Sequence, residues 1–176
     1  MIKTLRRTTA LLMAACAAGC SPALDWREFV PEGTDLSIGF PCRPDRQART
    51  VMVAGASARM QMLACSAGDA TFALAFIDVA EPARTGRVLA ELRATAVSNL
   101  RAAPPQVTTL QIKGMTPNDQ AARVSLSGTL PDGTAVQEHA AFFVRGLRVY
   151  QATVIGVKPT PQAIETFIGG LKFKAA

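Results

Sequence analysis

The chain has 176 residues, 49% of them hydrophobic, with one histidine, four cysteines and a formal net charge of +6. That length is one domain's worth, enough to bury a real core. Residues 1–19 hold Lys3, Arg6 and Arg7 and no acid, so the other 157 residues carry only +3, and basic charge gives no case for nucleic-acid binding.

The chain opens MIKTLRR, a positive segment followed by an apolar stretch from about Ala10 to Gly19. Ten such residues fall short of the ~20 needed to cross a bilayer as a helix. Residues 1–19 therefore read as a secretory signal and stand outside the fold. Ala17-Ala18-Gly19-Cys20 resembles the lipobox of bacterial lipoproteins, with Ala17 where Leu is usual. The resemblance implies cleavage before Cys20, a thioether-linked diacylglycerol on that cysteine and an acyl group on its amine. Met13-Ala14-Ala15-Cys16 is a poorer version. The alternatives are ordinary cleavage after an Ala-x-Ala-type site, and a metal pair of Cys16 and Cys20 with no histidine or second cysteine pair to complete it. Arg6-Arg7 raises the twin-arginine route, but Thr9 stands where a large apolar residue is expected. By resemblance to bacterial sorting rules, Ser21 after the modified cysteine directs the protein to the outer membrane, on its periplasmic face. Such acylation exceeds the two signals that stable anchoring needs.

Residues 20–34 read as a lipid-anchored tether whose end docks through Trp26 and Phe29, and residues 35–176 as one domain. "TDLSIGFP" predicts a first strand with Leu36, Ile38 and Phe40 on one face, ended by Pro41. Arg43, Arg46 and Arg49 follow as a basic cluster, read as a solvated loop or as a contact for anionic headgroups or an acidic partner. "RTVMVAG" and "ARMQMLACSAG" predict a hairpin joined near Gly55, and "DATFALAFIDVA" a fourth strand with Phe72, Leu74 and Phe76 on one face. From Arg84 to about Ala102 the period changes. Val88, Leu92, Ala96 and Leu100 recur every fourth residue, with Leu89 and Val97 beside them, which predicts an amphipathic helix packed on a sheet. Pro104-Pro105 stops it.

"VTTLQIKG" and "QAARVSLSGTL" predict further strands, the second with Val124 and Leu126 on one face. Pro131-Asp132-Gly133 is a turn. "TAVQEHAAFFV" and "LRVYQATVIG" form a hairpin around Arg145-Gly146. Thr160-Pro161 then starts a last helix, with Ala163, Ile164, Phe167, Ile168 and Leu171 as its apolar face. The fold class is α+β, a mostly antiparallel sheet with one long helix and a C-terminal helix packed on it.

Two cysteines remain beyond Cys20. In an oxidising compartment Cys42 and Cys65 suggest a disulfide, worth roughly 3 kcal/mol by loop closure. Two unpaired buried thiols, or a catalytic thiol, are the alternatives.

"LSIGFPCRP", "TFALAFIDV", "GMTPNDQAARVSL", "AFFVRGLRVYQATVIG" and "AIETFIGGLKF" occur in an order that resembles the Mog1/PsbP-like α/β/α proteins of bacterial envelopes, including DcrB-like lipoproteins. The resemblance covers about Leu36 to Phe173 and is one of pattern. It implies a last helix ending in Phe. Cys42 stands where the pattern has Gly, and together with Cys65 it fits a staple from the first strand's exit to a neighbouring strand. Neither a photosystem role nor a metal site carries over, because the histidines are missing.

His139 is the only histidine, so any Ser-His or Cys-His mechanism must use it. On a strand its neighbour Glu138 points to the other face and cannot orient it. Asp69, Asp78, Asp119 and Asp132 fall at strand ends and turns. Arg145, Arg148 and Tyr150 are the best candidate recognition surface, with Arg148 and Tyr150 on one strand face suited to an anionic or planar group. The structural alternative is an Arg148 that caps the turn and covers Tyr150. The expectation is a non-catalytic, lipid-anchored envelope protein, not an enzyme, that binds or scaffolds another envelope component without cofactor, metal or nucleic acid. The alternatives are a soluble periplasmic small-ligand module with a cleft between sheet and long helix, and a carboxylate-dependent hydrolase.

Overall fold

The computed structural model describes residues 24–174. The expected signal over residues 1–19, the poorer site at Cys16 and the lipidation at Cys20 lie outside the described residues. The strands are β1 Arg27–Phe29, β2 Leu36–Phe40, β3 Asp45–Val53, β4 Ala56–Ala67 and β5 Ala70–Asp78. A single 3-10 turn, Pro82–Arg84, leads into α1, Thr85–Asn99. Then come β6 Gln106–Thr108, β7 Ala122–Thr129, β8 Ala135–Arg145 and β9 Arg148–Gly156. The chain closes with α2, Pro161–Ile164, which continues as a π turn over Glu165–Gly169, and with β10, Lys172–Phe173.

Seven strands form one antiparallel sheet in the order β3-β4-β5-β9-β8-β7-β6, and β1-β2-β10 form a small second sheet. The fold is α+β, as its strand blocks predict. Strand alternation divides the large sheet's side chains between two cores. One face sends Leu63, Phe72, Leu74, Phe76, Phe143, Tyr150 and Val154 against Leu36, Ile38 and Phe40 of β2 and against Ala163, Ile164, Phe167 and Ile168. The other face sends Ile77, Val124, Leu126, Ala140, Phe142 and Val149 against Val88, Leu89, Leu92, Ala96 and Leu100 of α1. The two helices thus cover opposite faces, each through the apolar positions that the sequence marks. Phe40 and Phe72 meet Phe167 edge-on with ring centroids 5.2 and 5.3 Å apart, a geometry that rings prefer.

Cys42 and Cys65 are disulfide-bonded, joining the exit of β2 to β4. The docking of Trp26 and Phe29 also holds. Their rings meet Phe72 and Phe40 edge-on, each at 5.7 Å. The docked segment goes further than a tether, because β1 pairs antiparallel with β2.

Three local expectations are corrected. The Arg43–Arg49 stretch is not a loop, since Arg46 and Arg49 lie within β3. Residues 45–50 are exposed on both faces of an edge strand, so no apolar alternation marks them, and their charge guards the open edge against further pairing. The strand expected over "VTTLQIKG" ends at Thr108. Beyond it Leu110 and Ile112 fold round the sheet edge into the core opposite to that of β7's apolar residues. The last helix stops before Phe173, which pairs in β10 with Leu36 of β2.

Candidate functional site

The β8–β9 hairpin positions the expected recognition residues. Its two-residue turn needs a left-handed residue, supplied by Gly146 at φ +59°. The turn is pinned from both sides: Gly146 N donates to Thr116 Oγ1 at 2.8 Å, and Val79 N donates to Leu147 O at 2.9 Å. In this register Arg145 stands directly opposite Arg148, and Phe143 opposite Tyr150.

Like charges directly opposite repel, and here each has its own partners. Arg148 donates through Nε and Nη2 to the two Asp78 carboxylate oxygens, through Nη1 to Gly33 O, and lies 5.1 Å from the Phe76 ring centre. The Asp78 hydrogen bond holds its guanidinium pKa above the ordinary value. Arg145 donates to Asp35 Oδ2 at 3.2 Å and to Gly114 O, and lies 5.4 Å from the Phe173 ring centre. Tyr150 is 1% exposed, stacked on Phe143 with ring centroids 5.0 Å apart. Burial pushes its phenol up to about 12. The three residues thus come together beside a shallow depression of about 440 Å³ that Gly33, Asp35 and Asp78 also line. Two arginines and two aspartates leave it charge-balanced, and the buried Tyr150 ring offers no open face for stacking. Arg148 ties the hairpin to β5 through Asp78 and to the loop at Gly33, with its guanidinium over the Phe76 ring.

Asp78 is visible in the sequence only as a strand-end acid. Its pairing with Arg148 follows from the β5–β9 register, in which the two are directly opposite. Asp35 and the carbonyls of Gly33 and Gly114 carry no sequence signal, because they arrive from loops distant in the chain.

His139 lies on β8 opposite Ser125 of β7, with Ser125 Oγ 3.0 Å from its Nδ1. Burial, then the Arg123 charge, lowers its pKa, and Glu165 opposes them. Glu165 itself is held by Arg123 at 2.5 Å. β7 is flanked by β6 and β8, and both ladders include Ser125, so its backbone amide does not form an oxyanion hole. The serine is a partner that no sequence pattern marked.

Glu138 faces the α1 side, between Leu126 and Ile155 in the cross-strand row. It is 5% exposed, and burial pushes its carboxyl up to about 7. On the same face Ala64, Ala73 and Thr153 form the next row, and Met62, Ala75 and Gln151 the one after. These six are only half-buried; α1 packs mainly against β9, β8 and β3 and does not close over them. Asp132 behaves as a turn residue, accepting from Thr134 N at 2.9 Å, whereas Asp25, Glu28 and Glu32 pair with Arg27, Lys172 and Arg46. Among the described residues no cluster of three potential metal ligands occurs, and no helix is long and apolar enough to cross a membrane. The chain matches no protein-family model and no curated protein.

Proposed function

We propose that this chain is a non-catalytic, lipid-anchored protein of the bacterial envelope, held through Cys20 at the periplasmic face of the outer membrane. Its α+β domain binds or scaffolds another envelope component. The observation that carries this reading is the Cys42–Cys65 disulfide, a bond that persists in oxidising compartments. It joins the exported character of residues 1–19 and the lipobox-like residues before Cys20. The helix–sheet–helix layering supports the resemblance to the Mog1/PsbP-like envelope proteins.

Binding rather than catalysis is supported by how the reactive side chains are used. Arg145 and Arg148 are tied to Asp35 and Asp78. His139 bonds across strands to Ser125, and Glu138 points away from it. A second reading, a soluble periplasmic small-ligand module, is favoured by the open half of the sheet beside α1, floored by Ala64, Ala73 and Ala75. A carboxylate-dependent hydrolase would need a second carboxyl facing Glu138, whose cross-strand neighbours are Leu126 and Ile155.

Crosslinking in cells followed by capture of the tagged full chain tests the first reading against the second. A discrete envelope partner, lost when the anchor is removed by Cys20→Ala, is the expected result. No captured partner, together with a melting midpoint moved by an envelope lipid, glycan or metal, would replace it with the second reading.

A further inference from the structure

We propose that the end of the domain carrying the β4–β5 turn lies against the lipid surface, and that the hairpin end with Arg145 and Arg148 points away from it, free for a partner. The inference rests on the anchor at Cys20. Leu24 is already fixed: with Trp26, Cys65, Ala67 and Ala70 it packs on the core that β2 shares with the large sheet. Asp25 N donates to Pro41 O at 2.9 Å, and the disulfide ties the adjoining Cys42 to β4. The chain therefore enters the fold beside Cys65 and Phe72, toward the end of β4 and β5 that carries the Gly68–Asp69 turn.

From Cys20 to Leu24 is four residue steps, a reach of at most ~14 Å. The opposite end is farther than that. β5 runs from Ala70 to Asp78 and β9 returns from Arg148 to Gly156, with Ala70 opposite Gly156 and Asp78 opposite Arg148. Eight steps along a strand span ~27 Å. The tether is thus too short for the domain to stand inverted, with its β8–β9 turn down and its entry point up.

The chemistry of the near end favours standing over lying flat. Val157 is 61% exposed there. It rims a mainly apolar depression of about 410 Å³ lined also by Leu130, Val136, Ile155 and Ala70. Arg43 and Lys158 are exposed at this end, as are Asp69 and Asp132. The end carries charges of both signs round an apolar centre, which suits the boundary of headgroups and acyl chains more than a strongly anionic surface.

Trp26 is the only tryptophan, so its emission reports this end without labelling. The full chain is extracted from membranes, its acyl mass verified, and reconstituted into phosphatidylcholine vesicles that carry a nitroxide on the headgroup. The expected result is strong quenching of Trp26, and severalfold weaker quenching when the tryptophan is moved to the far turn by Trp26→Phe with Leu147→Trp. Equal or stronger quenching at position 147 in protein that floats with the vesicles would overturn the orientation and leave the anchor standing. Protein that carries no acyl mass and does not float would overturn the anchor, and the orientation with it.

Discussion

Glu138 is the residue whose environment conflicts most with its charge. Its cross-strand neighbours Leu126 and Ile155 are apolar, and burial raises its carboxyl from 4.5 to about 7. In that window the folded state keeps a proton that the unfolded chain gives up. Stability therefore falls as pH rises from about 4.5, and the full loss, roughly 3 kcal/mol, is reached above about 7. Glu28, Asp132 and Glu165 have lowered values and act in the opposite sense, below the ordinary carboxylate range. Glu138→Gln leaves those three groups untouched. Its stability advantage over the parent is expected to grow by roughly 3 kcal/mol between pH 4 and pH 8 in urea unfolding. Parallel curves would show that water or a nearby charge already stabilises the ionised form. The sequence marks Glu138 only as facing away from His139. Its burial depends on the two flanking strands β7 and β9, which no local pattern reveals. Arg145, Arg148 and Tyr150 were legible as a group, because a hairpin turn places opposed residues side by side. The Asp35 and Asp78 that neutralise the two arginines come from other parts of the chain.

At the scale of elements, those with an apolar face or an apolar run were the legible ones. Phe72, Leu74 and Phe76 mark β5, and Val88, Leu92 and Ala96 mark α1. The elements that escaped break this rule. β3 is wet on both faces over residues 45–50, and β10 is too short to show a period. Leu110 and Ile112 alternate like a strand but cross the edge of the sheet. The end of α1 shows a different kind of mismatch. Arg101 N donates to Ser98 O and Ala102 N to Val97 O, a double closure that requires a left-handed residue between helix and loop. Arg101 fills that position at φ +48°, where glycine carries no side-chain penalty. Just beyond, Gly128 of β7 lies so close that an added Cβ would meet Leu100 O at 2.3 Å. The helix end is therefore fixed by backbone contact rather than by its cap residue. Arg101→Gly is expected to raise stability by about 1 kcal/mol in chemical denaturation, with the helical circular dichroism signal unchanged. A loss of stability would mean that the arginine side chain makes a compensating contact.

The whole molecule is a sheet buried unequally on its two faces. One face is closed by the small sheet, the last helix and the disulfide; the other is half closed by α1. The two apolar helix faces foretold helices packed on a sheet. That they fall on opposite sides depends on strand order, and strand order has no sequence signature. The disulfide and the short reach from Cys20 to Leu24 make one account: an exported domain held close to a membrane and stapled where its chain enters. The measurement that tests this most directly is the intact mass of the protein extracted from membranes without reductant, beside Cys20→Ala. The account predicts the mass of residues 20–176 plus its acyl chains and less two hydrogens, with the acyl increment missing from the variant. A mass equal to that of an unmodified chain, released in the soluble fraction, would contradict it.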